Sequence, residues 1–282
     1  MMNVPLLRGR FKKEKMTCAK IPRMQRNEIH NVVFYQSEKL LAYSNVVHAV
    51  TTRHGGVSPA PFDTLNTSVH AGDEPERVHE NLNRLHHALG LERGATVDAS
   101  QAQADKVARV TQNERGTRIK GVDGLITNTR GIPLMLRFAD CVPILLYDPT
   151  HFAIGIAHAG WRGTVAQVLT NTVNAMREAF ETEPRELMAC IGPSIGPCCY
   201  EVGADVQEKV RHAFPEAYAL LLNKNGSTHL NLWEANAAQL RALGVEQIEI
   251  AGVCTADHTD DFYSWRREHA LTGRFSALIA LR

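Results

Sequence analysis

The sequence predicts one domain of the α/β (α+β) class, with buried sheets and helices on the outside. Short apolar runs of strand length recur along the chain, and amphipathic helical patterns lie between them. No internal repeat, low-complexity tract or linker divides residues 30–282. The chain has 282 residues, of which 44% are hydrophobic and 22% charged, so it can bury a sizeable core.

The first segment is basic. Its first 26 residues carry eight lysines and arginines against a single acidic residue, Glu14. We therefore expect residues 1–30 to form a disordered basic tail and residues 31–282 to form the folded domain. Initiation at Met16 or Met24 would shorten that tail.

The elements that follow are predicted from hydrophobic spacing. Pro75 opens a helix whose apolar residues recur every three or four positions until Gly90 ends it. Two more helices are predicted over 164–181 and 232–243 by the same periodicity. Strands are predicted at 46–52, 134–138, 144–147, 153–157, 187–191, 248–253 and 276–281.

Charge and cysteine content exclude several classes of protein. Thirty-one Lys and Arg residues against 30 Asp and Glu give a formal net charge of +1, which argues against bulk binding of nucleic acid. Every apolar stretch is shorter than ten residues, so no membrane span is expected. The six cysteines form no CxxC pair, and no apolar segment follows the basic start. We expect a cytoplasmic protein with reduced thiols.

Cys141 and His158 are the strongest candidates for chemistry. They flank two predicted strands that a four-residue turn, 148–151, joins into a hairpin. Antiparallel pairing brings the far ends of such strands together, which places the two side chains in one cavity. A thiolate beside an imidazole suits zinc ligation or a Cys–His nucleophilic pair. The alternative is a buried structural cysteine and a hydrogen-bonded core histidine.

Each of the other candidates also has a structural alternative. Arg162 lies in a glycine-bounded turn at a predicted helix start, where an anion could bind, or it stacks on Trp161 at the surface. Asn66 and His70 either line a pocket or make hydrogen bonds within a loop. Because Cys198 and Cys199 are adjacent, we expect them to serve packing rather than to bind one metal.

These segments together resemble the laccase-domain family, also described as polyphenol-oxidase-like or multicopper-oxidase-like. The resemblance covers residues 32–282 and rests on TRHGGVS (52–58), LNTSVHAGD (65–73), DGLITN (123–128), ADCVPILLYDP (139–149), AHAGWRGT (157–164), GPSIGPCCYEVG (192–203) and FYSWRREHALTGR (262–274). It implies two packed mixed β-sheets flanked by helices, a fold related to the catalytic domain of a bacterial cytotoxin that uses Cys and His.

The resemblance also implies an activity and site residues. The activity is that of a purine nucleoside phosphorylase and adenosine deaminase, with nucleoside and phosphate as partners and a monomer or homodimer as the assembly. Catalytic roles map to Cys141, His158, Arg162 and Asn66, and substrate binding maps to His70, Arg162 and Arg53.

The metal site that the resemblance implies is incomplete in this sequence. Cys141 and His158 match two of three zinc ligands, but Gln103 stands where the third, a histidine, is expected. An amide is a poor zinc ligand beside thiolate and imidazole. Zinc is therefore expected to bind weakly, or with His70 as a substitute ligand.

Three other functions stay open at this point. Phenol oxidation at copper needs His-x-His pairs, and none of the 13 histidines forms one, so copper is a weaker expectation. A Cys–His hydrolase or amidase acting on cell-wall precursors would use Cys141 as its nucleophile. A non-catalytic relative that lost its third metal ligand is the last alternative.

Overall fold

The computed structural model describes residues 24–269 and 271–282, and it confirms the predicted fold class. Two large mixed sheets dominate. The larger has seven strands in the order β1-β2-β3-β15-β8-β4-β6. Its strands are β1 Met24–Ile29, β2 Val32–Ser37, β3 Val46–Thr51, β4 Val97–Ser100, β6 Arg118–Lys120, β8 Leu134–Phe138 and β15 Phe275–Leu281.

The second sheet has six strands in the order β14-β11-β9-β10-β7-β5. They are β5 Val107–Arg109, β7 Gly124–Thr127, β9 Val142–Asp148, β10 Ala153–Ala159, β11 Met188–Ile191 and β14 Gln247–Ile250. A separate hairpin pairs β12 Leu221–Lys224 with β13 Ser227–Leu230.

Five helices of the described residues cover these sheets. They are α1 Pro75–Leu89, α2 Trp161–Val165, α3 Val168–Phe180, α4 Ala204–Ala213 and α5 Leu232–Ala242. Pro75 begins α1, and Gly90 ends it in the left-handed conformation, at φ 64°. The helix predicted over 164–181 is two helices, because Gln167 has a φ of 65° and so interrupts the helical backbone.

The core is arranged in layers, as strands apolar on both faces require. One apolar cluster lies between the two sheets and includes Leu136, Leu145 and Ile279. A second packs α1 against the larger sheet through residues such as Leu85 and Leu278. A third packs α3, α4 and α5 against the smaller sheet. Neither sheet leaves its central strands exposed.

The predicted hairpin is confirmed. β9 and β10 pair antiparallel, with Ala153 opposite Asp148 and His158 opposite Pro143. Asp148 fixes the turn, since its Oδ1 accepts hydrogen bonds from the backbone amides of Thr150 and His151 at 2.9 and 3.0 Å. The register carries residue 141 to the same end of the sheet as residue 158.

Part of the segment expected to be a tail is ordered. Residues 24–29 form strand β1, which pairs antiparallel with β2 along its whole length. This hairpin spans the predicted boundary at residue 30. The rest of the expected tail, residues 1–23, lies outside the described part of the chain. Among the described helices, none has the length and apolarity that crossing a membrane requires.

Candidate active site

The β9–β10 hairpin places Cys141 beside His158. Cys141 precedes β9 by one residue, and Gly160 follows β10 by one residue, directly across the pairing. The approach is so close that a Cβ built on Gly160 would lie 2.8 Å from the Cys141 sulfur. The Cys141 side chain is hydrogen-bonded to the His158 imidazole. The two residues therefore form one reactive pair.

A buried carboxylate, Asp123, completes a chain of three groups. Its Oδ1 lies 2.7 Å from His158 Nδ1, and its Oδ2 accepts the backbone amides of Ala102 and Ala104 at 2.9 Å each. Because a carboxylate only accepts, Nδ1 carries a proton and Nε2 is left for Cys141. This arrangement fixes the orientation of the imidazole ring.

The electrostatics of the pair follow from this geometry. Burial lowers the pKa of His158, but the Cys141 sulfur and the Asp123 carboxylate outweigh burial and raise it to about 9. Burial raises the pKa of Asp123, yet its hydrogen bonds from His158 and the two amides leave it below the usual value. The geometry therefore favours a protonated His158 ring beside the ionised Asp123 carboxylate.

A cavity of about 660 Å³ opens on this pair. Cys141, His158, His70, Gln103 and Arg162 all line it. The structure thus brings five of the seven predicted site residues to one cavity wall.

The other two predicted residues, Asn66 and Arg53, are not among the described residues that line this cavity. Asn66 is fully buried, and its side chain bonds Asp73 and the backbone of Ser68 and Arg274. It is a structural hydrogen-bonder, which is the alternative that the sequence left open.

Arg53 is held by acidic partners away from the cavity. It forms ion pairs with Asp63 at 3.2 Å and Glu268 at 2.9 Å, and its guanidinium lies 4.7 Å over the Tyr263 ring. Two carboxylates already neutralise this guanidinium, so it is not available to bind a substrate anion. Arg53 instead holds the loop at residue 268 in place.

Arg162 and Gln103 interact with each other. Arg162 Nη1 donates to Gln103 Oε1 at 3.3 Å, and the guanidinium lies 4.4 Å over the Trp161 ring. The helix that Arg162 enters, α2, has only five residues, so the backbone offers no extended helix start for an anion. Arg162 combines the two roles weighed from the sequence, since it stacks on Trp161 and also lines the cavity.

The donor groups do not fit the zinc site that the resemblance implies. Gln103 Oε1 already accepts from Arg162. His70 Nε2 lies 3.2 Å from Arg118 Nη1, and since a guanidinium only donates, the ring accepts with the lone pair that a metal would need. Within residues 24–269 and 271–282, Cys141 and His158 belong to no group of three His, Cys, Asp or Glu side chains with ligand atoms inside 4.8 Å. Among these described side chains, none completes a metal site with the pair.

A different group could hold a metal. Ligand atoms of Cys198, Cys199, Cys254 and Asp257 all lie within 4.8 Å of one another. The expected reduced thiols are present at Cys199 and Cys254, as at Cys141 and Cys190, but Cys198 is disulfide-bonded. An ion in this group would therefore have fewer than three thiolate ligands.

The cavity has a charged wall, of which sequence reasoning missed Arg118 and Arg137. Arg118, Arg137, Arg266 and Arg274 line it together with Asp140. Asp140 is buried with a φ of 83°, a conformation that non-glycine residues rarely adopt and that concentrates at functional sites. Burial raises the pKa of Asp140, against hydrogen bonds from the Arg266 amide and Thr255.

One signal in the sequence pointed to part of this wall. Arg137 interrupts the otherwise apolar run of β8, and a charged residue in a buried strand needs a partner or a ligand. Asp123 and Arg274 lie inside the motifs DGLITN and FYSWRREHALTGR, but their proximity to His158 and Cys141 depends on strand order, which no local pattern gives.

The sequence is similar to a known family and to named proteins of other organisms. The family model described as multi-copper polyphenol oxidoreductase laccase matches residues 47–282. A purine nucleoside phosphorylase of Bacteroides thetaiotaomicron is 38% identical over 255 residues, covering 86% of this chain and 94% of the relative. The purine nucleoside phosphorylase YlmD of Bacillus subtilis is 37% identical over 248 residues, covering 84% of this chain and 89% of the relative.

Solved structures share the fold. The crystal structure of YlmD from Geobacillus stearothermophilus has a TM-score of 0.86 at 34% identity, covering 93% of this chain and all of the other. That of the Bacillus licheniformis protein YfiH has a TM-score of 0.84 at 33% identity, covering 90% and 97%.

Proposed function

The chain belongs to the multi-copper polyphenol oxidoreductase laccase family, and on that premise we propose that it is a purine nucleoside phosphorylase acting at the cavity of Cys141 and His158. The observation that carries the proposal is the charge of that cavity. Five arginines line it, against one carboxylate, Asp140, whose pKa burial raises. An excess of guanidinium groups beside a reactive pair suits an oxyanion such as inorganic phosphate.

The proposed reaction exchanges one bond at the sugar. An oxygen of phosphate bonds to C1′ of the ribose while the bond from C1′ to the purine N9 breaks. The electron pair leaves with the base, which takes up a proton. The products are the free base and ribose 1-phosphate, or methylthioribose 1-phosphate from methylthioadenosine.

The residues of the cavity supply what this exchange requires. His158 is protonated at neutral pH because of its neighbours, so its Nε2 is a source for the proton that the leaving base needs. Asp123 holds that ring in place through the 2.7 Å hydrogen bond to Nδ1. Trp265, which is 51% exposed, offers an aromatic face for the purine at the cavity wall.

The choice of nucleoside and the second activity are the finer parts of the proposal. Adenosine, inosine, guanosine and methylthioadenosine are the proposed substrates. Deamination of adenosine would add water at C6 of the purine and release ammonia. Since the donors at Cys141 and His158 do not complete a metal site, no step is assigned to zinc, and His158 is the group in the cavity that would move the proton. We place the enzyme in the cytoplasm, as a monomer or homodimer.

A Cys–His hydrolase is the second candidate, and one observation favours it. The hydrogen-bonded order Cys141, His158, Asp123 is the nucleophile, base and orienting carboxylate of thiol acyl-transfer enzymes. An amide of a cell-wall precursor would then be the substrate. Phenol oxidation has less support, because the metal-capable group of the described residues, Cys198, Cys199, Cys254 and Asp257, contains no histidine.

Product analysis separates these candidates. Purified protein is incubated with each nucleoside, with and without inorganic phosphate, and free base, sugar phosphate and ammonia are measured. The proposal expects free base and sugar phosphate in equal amounts only when phosphate is present. Base released without phosphate, or turnover only of amide substrates, would contradict it.

A further inference from the structure

We propose that inorganic phosphate binds at a row of three arginines, Arg118, Arg137 and Arg274, rather than at Arg162. The inference rests on the proposed function and names the anion subsite of the same cavity. All three line the cavity that Cys141 and His158 share. We call them the arginine row.

The row runs across four neighbouring strands of the larger sheet, β15, β8, β4 and β6. Arg274 immediately precedes β15, and two residues later Ser276 pairs with Arg137 of β8. Such diagonal neighbours share a face, about 7–8 Å apart between Cα atoms and within reach of long side chains. On the far side of β8, Asp98 of β4 lies opposite Arg118 of β6.

The row has more positive charge than its acidic partner neutralises. Arg118 bonds both oxygens of Asp98, at 2.7 and 2.8 Å, and Arg137 bonds Asp98 Oδ2 at 2.6 Å. These arginines hold the pKa of Asp98 below its usual range, against its burial. One carboxylate thus serves two guanidinium groups.

Arg274 has no carboxylate partner within 4.0 Å among the described residues. Its Nη1 donates only to the backbone carbonyls of Thr272 and Gly273, at 2.8 Å each. Burial lowers the pKa of Arg274, and the nearby Cys141 and Asp140 oppose that effect. A half-buried cation without an ion pair is unfavourable unless an anion joins it.

The net positive charge of the row and Asp98 equals the negative charge of one phosphate dianion. Three guanidinium groups and one carboxylate leave two positive charges, and the phosphate dianion carries two negative ones. Guanidinium groups also offer paired donors whose spacing fits two oxygens of a phosphate.

The row is fixed before any ligand arrives. Thr67 is hydrogen-bonded to two members of the row, since its carbonyl accepts Arg137 Nε at 2.7 Å and its hydroxyl donates to the Arg274 carbonyl at 2.8 Å. Asn66 Oδ1 accepts the Arg274 amide at 2.9 Å. This gives Asn66 and its neighbour a positioning role, and it explains their place in the motif LNTSVHAGD. Preorganised donors avoid the entropy cost of ordering on binding.

Arg162 lacks these properties. It is exposed, and it already donates to Gln103. Arg93 provides a second comparison, because it lines a neighbouring cavity that shares Arg118 and Arg137 but not Arg274.

Direct titration of the full chain with inorganic phosphate tests the proposal without requiring turnover. Arg274→Gln should weaken phosphate binding about 10- to 100-fold, as expected for the loss of a charge-assisted hydrogen bond. Arg162→Gln and the control Arg93→Gln should change it less than about twofold. Arg274→Lys keeps the positive charge but loses the paired guanidinium donors, so its phosphate affinity should lie between those of the unaltered protein and Arg274→Gln. Arg274→Lys replaces Arg274→Gln if the glutamine variant does not fold.

Several results would overturn the inference. They are no phosphate binding by the unaltered protein at millimolar concentration, equal affinity in Arg274→Gln, or a larger loss in Arg162→Gln or Arg93→Gln. If phosphate binds through Arg274 but no nucleoside yields a sugar phosphate, the proposed function fails and the subsite stands. If phosphorolysis proceeds with an unchanged phosphate KM in Arg274→Gln, the subsite fails and the function stands.

Discussion

His158 Nδ1 lies 2.7 Å from Asp123 Oδ1, and both side chains are almost completely removed from solvent. The two residues come from neighbouring strands, since Asp123 precedes β7 by one residue and β7 pairs with β10. This contact sets which ring nitrogen faces Cys141, and so it links the sheet topology to the chemistry of the cavity.

Asp123→Asn should lower kcat by about 10²-fold or more, the usual contribution of a positioned acid or base. The amide can still accept from Ala102 and Ala104, but it donates to Nδ1 and so reverses the tautomer of His158. Steady-state kinetics check this, with circular dichroism to confirm folding.

A matched control lies at the other end of the same hairpin. Asp148 Oδ2 is 2.8 Å from His151 Nδ1, and its Oδ1 likewise accepts two backbone amides. Asp148→Asn should leave kcat within about twofold, because general acid–base catalysis requires the group to lie within hydrogen-bond reach of substrate. Equal losses in the two variants would show that Asp123 acts only on stability.

The stability of the fold should depend on pH through His158. The pKa of His158 is about 9 in the folded protein, above about 6.5 in an unfolded chain. The protonated ring therefore stabilises the fold fully below about pH 6.5, and this contribution is lost as the pH rises through about 9.

Urea unfolding at about pH 6 and about pH 9 measures this effect. The difference in unfolding free energy between the two conditions should shrink in His158→Gln. An unchanged pH dependence in His158→Gln would contradict the assignment.

Gly160→Ala should disturb the reactive pair by contact alone. Gly160 has an ordinary φ of −71°, but a Cβ there would lie 2.8 Å from the Cys141 sulfur. Overpacking of this kind costs about 1–3 kcal/mol, and moving Cys141 should also reduce activity.

Gly94→Ala is the matched control, because its Cβ would lie 3.8 Å from the nearest atom, Glu92 Oε1. Thermal unfolding and a nucleoside assay of both variants measure the difference. Full stability and activity in Gly160→Ala would show that the residues around Cys141 can move apart without cost.

Gln103→His should raise the zinc content of the purified protein. Gln103 lines the cavity with Cys141 and His158, and imidazole is a better zinc ligand than an amide. Metal analysis after dialysis against a limiting zinc solution gives the stoichiometry. Gln101→His, a nearby glutamine of the same cavity, is the control and should not raise it. Equal zinc in Gln103→His and the unaltered protein would show that residue 103 is not positioned at the pair.

The hairpin and the pair it carries were accessible to sequence reasoning because they depend on local signals. Two apolar runs and a four-residue turn determine which ends meet, and Cys141 and His158 flank those ends. The layered fold, in which each sheet is covered on both faces, likewise follows from strands that are apolar on both faces.

The place of Arg118 and Arg137 in the charged wall was not accessible, because it depends on strand order. Arg118, Arg137 and Arg274 belong to segments far apart in sequence that become neighbours only in the order β15-β8-β4-β6. The break at Gln167 was missed for another reason: its left-handed φ of 65° interrupts a hydrophobic periodicity that continues across both helices.

The most direct test of the account is the rate of phosphate-dependent cleavage of inosine by Cys141→Ala and His158→Ala, with His151→Ala as the control. Each substitution removes either the proton source, His158, or its hydrogen-bonded partner, Cys141. The rate of both variants should therefore fall by at least about 10²-fold, while His151→Ala should retain the rate of the unaltered protein. Folded Cys141→Ala or His158→Ala protein with the full phosphate-dependent rate would contradict the account, because the chemistry would then lie elsewhere.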